Sequence, residues 1–69
     1  MRKICVKCGR EEDCEITLAS IRVLLSLMQA RYLEADNYSI LVPDWAVPYI
    51  MALAGRGLWA ELRARAELC

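Results

Sequence analysis

The sequence predicts a single, mainly α-helical domain with one short extended segment and an N-terminus held by clustered cysteines. Three observations lead to this fold class. Apolar residues recur at three- and four-residue steps through most of the chain, which is the spacing of one helix face. The chain has only 69 residues, enough for one small domain. Three of its four cysteines lie near the N-terminus.

Three helices are expected, over about residues 14–35, 45–54 and 58–68. The first begins in an acidic run, and acidic side chains complement the positive end of a helix dipole. The second contains no charged residue and should be the most buried element. The third follows Gly55-Arg56-Gly57, a turn between helices.

Residues 38–42 form the expected extended segment, because most of them are β-branched or aromatic and a proline follows them. Residues 2–6 are a second candidate strand, and the two segments are candidates for a minimal two-stranded pairing. Trp45 and Trp59 are expected to anchor the core. No internal repeat or long linker divides the chain, so residues 1–69 should form one domain.

The first helix carries apolar residues on two sides. Its broad stripe should face the other two helices and consists of Leu18, Ile21, Leu25, Met28 and Tyr32. A second stripe includes Ile16, Val23 and Leu27. A chain of this size has too few residues to cover both sides, so the second stripe is the candidate partner-binding surface. The partner would be another protein or a second copy of this chain.

The segment Cys5-Val6-Lys7-Cys8-Gly9 resembles a zinc knuckle, the half-site of zinc ribbons and rubredoxin-like folds. Thiolates at C-x-x-C spacing can bind one metal ion, and the glycine suits the tight turn of such a site. The resemblance covers residues 5–9 only and implies a structural zinc ion. Its expected ligands are Cys5, Cys8, Cys14 and Cys69. An acidic side chain, a water or a cysteine of another copy are the alternatives to Cys69.

Two other functions are open for the N-terminal segment. A C-x-x-C pair also occurs in thiol–disulfide redox proteins, although the βαβ pattern of the thioredoxin type is missing here. A zinc-ribbon-like regulator would bind nucleic acid through Arg2, Lys3, Lys7 and Arg10. The formal net charge of zero makes nucleic acid an unfavoured partner.

The function expected from these features is protein binding without catalysis. The chain has no histidine and no glycine-rich phosphate loop, so neither an enzyme nor a small-molecule substrate is expected. A short domain with surplus apolar surface suits an adaptor, or an inhibitor of a larger complex such as a phage-type inhibitor. A cytoplasmic setting is expected, because no apolar signal core follows the N-terminus and no apolar run is long enough to span a membrane.

Overall fold

The chain folds into a four-stranded antiparallel sheet with helices on one face. A computed structural model describes it from Met1 to Cys69. The elements are β1 (Arg2–Lys7), α1 (Glu11–Leu27), β2 (Leu33–Asp36), β3 (Ser39–Val42), α2 (Val47–Leu53), α3 (Leu58–Glu61) and β4 (Arg65–Leu68). A 3-10 turn at Asp44–Ala46 leads directly into α2. The strand order is β2-β3-β1-β4. The mainly α-helical fold expected from the sequence is therefore wrong.

Strand β1 lies inside the sheet and pairs with two neighbours. It is antiparallel to β3, with Arg2 opposite Val42 and Cys5 opposite Ser39. It is also antiparallel to β4, with Ile4 opposite Leu68 and Lys7 opposite Arg65. The pairing of residues 2–6 with 38–42 therefore exists, but it is one of three ladders in a larger sheet.

The core lies between the sheet and the helices. Ile4 and Val6 on β1 point toward the helices and are buried, whereas the alternating residues Lys3 and Lys7 are exposed on the other face. The main cluster comprises Ile4, Val6, Cys14, Leu18, Ile21, Leu25, Ile40, Val42, Ala46, Ile50 and Trp59. The buried stripe of α1 thus packs in a core shared with the sheet, and not against two other helices alone.

Helix α1 ends well before residue 35 because the chain turns into the left-handed conformation at Gln29 (φ 56°). The N–H of Gln29 donates to the carbonyl of Ser26, and the N–H of Ala30 donates to that of Leu25. These two bonds form a Schellman motif, which satisfies carbonyls that the helix end leaves unpaired. The expected helix over residues 14–35 is therefore shorter, at Glu11–Leu27.

The same motif ends α3 after a single turn. Arg63 is left-handed (φ 56°), and the N–H of Ala64 donates to the carbonyl of Trp59. The chain then enters β4 and pairs with β1. The helix expected over residues 58–68 is therefore wrong beyond its first turn.

The hairpin between β2 and β3 is closed by an aspartate. The Oδ1 atom of Asp36 accepts a hydrogen bond from the N–H of Tyr38 at 2.8 Å. This bond favours the carboxylate form and lowers the pKa of Asp36 below its ordinary 3.8. No helix in the structure is long and apolar enough to cross a membrane.

Candidate protein-binding surface

The four cysteines form two disulfide bonds, Cys5–Cys69 and Cys8–Cys14. Cys5 lies on β1 and Cys69 directly after the neighbouring strand β4, with Cα atoms 5.9 Å apart. Cys8 follows β1 and Cys14 lies near the start of α1, with Cα atoms 5.7 Å apart. Both separations fall in the range that a disulfide requires.

The expectation of a zinc knuckle at residues 5–9, with a bound zinc ion, is wrong. Zinc is bound by thiolates, and a sulfur atom in a disulfide is not a thiolate. No group of three or more cysteine, histidine, aspartate or glutamate side chains is placed to hold a metal ion. The expected ligands do meet, but as two separate cross-links: Cys5 with Cys69, and Cys8 with Cys14.

The C-x-x-C motif does not form a disulfide of its own. A thioredoxin-type pair cycles between dithiol and disulfide within the motif. Here each of its two cysteines is bonded to a cysteine outside it, and Cys14 is buried. This arrangement favours structural cross-links over a redox centre.

The basic residues expected at a nucleic-acid site are partly neutralised. Lys7 lies 3.2 Å from Glu67, and Arg10 lies 3.5 Å from Glu12. Of the four basic residues, Arg2 and Lys3 form no ion pair. Helix α3 has four residues, which is too short for a helix that reads the major groove.

The outer stripe of α1, defined as Ile16, Val23 and Leu27, lies on the side of the helix away from the sheet. Val23 is 60% exposed and Leu27 is 79% exposed, and Ile16 is also open to solvent. Ala19 and Ser26 lie beside this stripe, and with Arg22 they line a shallow depression next to Val23 and Leu27. A helix of a partner could approach closely along such a seam.

The outer stripe continues toward the turn between α2 and α3. Ser20 lies one helical turn from both Ile16 and Val23, and its Oγ accepts a hydrogen bond from Nε1 of Trp59 at 3.1 Å. A second depression beside Ser20 is lined by Leu53 and Leu58, two half-exposed leucines. The apolar surface is therefore wider than the helix stripe that the sequence indicates.

A second exposed apolar surface lies on the 3-10 turn and α2, which sequence reasoning placed in the core. We define the α2 aromatic face as Trp45, Tyr49 and Leu53, which recur every four residues. Trp45 is 52% exposed and Tyr49 is 58% exposed, with their rings edge to face at a centroid distance of 6.5 Å. Only the opposite side of this segment is buried, at Ala46 and Ile50.

The expectation that residues 45–54 form the most buried element is therefore wrong for one of its two sides. Trp59 is buried as expected, whereas Trp45 is not a core anchor. The signal was present in the sequence as two apolar stripes, one including Ala46 and Ile50 and the other including Trp45 and Tyr49.

What these surfaces can bind follows from their shape, charge and exposure. The α1 stripe is apolar with a polar rim, and the α2 aromatic face is uncharged along its length.

No family model, curated protein or solved structure matches this chain.

Proposed function

We propose that this protein is a small, non-catalytic protein-binding module that binds another protein through the outer stripe of α1. Such a module would act as an adaptor, or as an inhibitor that occupies a surface of a larger complex. The observation that supports this function is the exposure of Ile16, Val23 and Leu27 along one side of the longest helix. Single exposed apolar residues are common on protein surfaces, but three in register make a continuous surface that suits a partner helix.

The scaffold suits this function because it holds the stripe rigidly. One disulfide ties the start of α1 to the end of β1, and the other ties β1 to the C-terminus. A preformed surface loses less conformational entropy on binding than a flexible one. The disulfides also favour a non-reducing compartment over the cytoplasmic setting expected from the sequence, because the cytosol keeps thiols reduced.

The test is capture of a partner by matched baits. The wild-type protein, Val23→Asp and Ala60→Asp are immobilised with their disulfides intact and exposed to an extract of the source cells and their medium. Ala60→Asp is the control, because Ala60 is exposed on α3 and lies outside the outer stripe. We expect a protein that the wild type and Ala60→Asp retain and that Val23→Asp loses.

The captured protein is then purified and titrated against the same three variants by calorimetry. A charge at the centre of an apolar interface should weaken binding at least tenfold, since charged residues are depleted at interface cores. Equal affinity of Val23→Asp and the wild type for every captured protein would contradict the assignment of this surface.

A further inference from the structure

We propose that the α2 aromatic face binds a second copy of this chain, with the two α2 helices antiparallel about a two-fold axis. The centre of this interface, Trp45 and Tyr49, lies outside the outer stripe of α1, and the two surfaces meet at the depression beside Leu53 and Leu58. The inference does not depend on the function proposed for the outer stripe. The starting observation is the open side of the segment, where Trp45, Tyr49 and Leu53 all face solvent.

The face has the composition of an interface core. Tryptophan and tyrosine are enriched among the residues that dominate binding energy. No charged residue occurs between Trp45 and Ala54, so nothing charged has to be desolvated along the face. Leu58 extends the face beyond Leu53, since both line the same depression at the turn, and the charged Arg56 lines its edge with them.

Charges of opposite sign lie at the two ends of the face. Asp44 precedes Trp45, and Arg56 follows the C-terminal end of α2. The Asp44 side chain is 73% exposed and its one ion pair, to the amino group of Met1, is 3.7 Å long. Arg56 is exposed and forms no ion pair within the chain.

An antiparallel pairing places Asp44 of each copy opposite Arg56 of the other. Two-fold symmetry makes the same contact twice, so both exposed charges are neutralised at the rim of the interface. The two helix dipoles also run in opposite directions. Parallel pairing would instead bring the two Asp44 carboxylates together, and the two Arg56 guanidinium groups.

The same charges make a lipid surface a poorer occupant. Interfacial helices that bind membranes are rich in Lys and Arg on their polar side. Here one acid and one base border the face, so there is no net attraction to anionic headgroups. A second copy places an opposite charge against both Asp44 and Arg56, whereas an anionic bilayer would do so only for Arg56.

The exposed area indicates how large the interface would be. Aromatic side chains bury about 150–250 Å² each when fully covered, and roughly half of that area is open here. The open parts of Trp45 and Tyr49 would therefore bury roughly 300–500 Å² over both copies. Leu53, Leu58 and the residues at the two ends add to this area, and the interface stays at the small end of those that proteins use. We expect a weak, reversible dimer.

The first experiment compares sedimentation equilibrium of the oxidised wild type with two variants. Tyr49→Asp should shift the monomer–dimer midpoint to at least tenfold higher concentration. Val23→Asp carries the same new charge on α1 and should leave the midpoint unchanged. Circular dichroism checks the folding of each variant, and we expect Tyr49→Asp to fold because Tyr49 is 58% exposed.

The second experiment reverses the end charges and is specific to antiparallel self-pairing. Asp44→Arg alone and Arg56→Asp alone should each weaken the dimer, because each brings like charges together twice. Asp44→Arg combined with Arg56→Asp in one chain should restore the dimer, because each contact is again Arg opposite Asp. Parallel pairing would keep like charges opposite each other in this double variant.

A wild-type protein that stays monomeric at millimolar concentration would overturn the proposal. A dimer that Val23→Asp disrupts and Tyr49→Asp does not would move the interface to α1. A dimer that Tyr49→Asp disrupts, but that the double charge variant does not restore, would exclude the antiparallel geometry.

Discussion

Trp59 Nε1 donates a hydrogen bond to Ser20 Oγ at 3.1 Å, joining the one-turn helix α3 to the middle of α1. The indole ring is buried, and this bond pairs its N–H group. It also fixes the wall of the depression beside the outer stripe. A side chain that stabilises the fold thereby shapes the candidate surface.

Removing this bond should destabilise the protein without changing its fold. Ser20→Ala leaves the indole N–H unpaired and should lower the free energy of unfolding by about 1–2 kcal/mol. Ser26→Ala is the matched control, because Ser26 is exposed on the same helix and its side chain makes no hydrogen bond within the chain. Urea denaturation measures both. Equal stability of the two variants would show that the Trp59–Ser20 bond contributes nothing.

The two disulfides should contribute unequally to stability. The Cys5–Cys69 bond spans 64 residues and the Cys8–Cys14 bond spans 6. Loop-closure entropy then assigns about 4 kcal/mol to the first and about 2 kcal/mol to the second. We expect Cys5→Ala with Cys69→Ala to lower the thermal midpoint more than Cys8→Ala with Cys14→Ala.

Peptide mapping of the unreduced wild type checks the pairing itself. Reduction of both disulfides should lower the thermal midpoint, and zinc added to the reduced protein should not raise it again. Full recovery with one equivalent of zinc would contradict the cross-links described here and return the cysteines to a metal site.

A charge should act differently on the two sides of α1. Leu25 is fully buried, and an unpaired carboxylate there costs several kcal/mol, comparable to the whole stability of a domain this small. Leu25→Asp should therefore unfold the protein. Val23→Asp should change stability by about 0.5 kcal/mol or less, because Val23 is 60% exposed. Circular dichroism melts compare the two, and unfolding of both would place Val23 in the core.

The left-handed residue at the end of α1 offers a stabilising substitution. Gln29 has a φ of 56°, which glycine adopts without the steric cost borne by other residues. Gln29→Gly should raise the free energy of unfolding by about 0.5–1 kcal/mol. Gln29→Ala keeps the steric cost and serves as the control. A loss of stability in Gln29→Gly would mean that the helix continues past this residue.

The sequence indicates the first helix, the strands β1 and β3 and the exposed stripe of α1, because each has a clear apolar period. It misses the strands β2 and β4. Their sequences, Leu-Glu-Ala-Asp and Arg-Ala-Glu-Leu, consist largely of residues that favour helices. Both are edge strands, and pairing with a neighbour in the sheet overrides that preference.

The sequence also does not predict where α1 and α3 end. Glycine is the usual signal for a left-handed helix end, but here Gln29 and Arg63 occupy those positions. The sequence does not predict the Cys5–Cys69 bond, because Cys69 directly follows β4, a strand whose residues favour a helix. The C-x-x-C spacing brings two cysteines close in sequence, but the sheet determines which sulfur atoms meet.

The disulfide between Cys5 and Cys69 closes a covalent loop that contains all the helices and the strands β2, β3 and β4. Every peptide bond from Cys5 to Cys69 lies within the loop that this bond closes. A protease that cuts once at the exposed Gly55–Gly57 turn would leave two pieces joined, still held by the β1–β4 ladder. The nicked protein would migrate as one species without reductant and as two with it. A single cut between Cys5 and Cys69 would therefore not release a fragment unless this disulfide is also reduced.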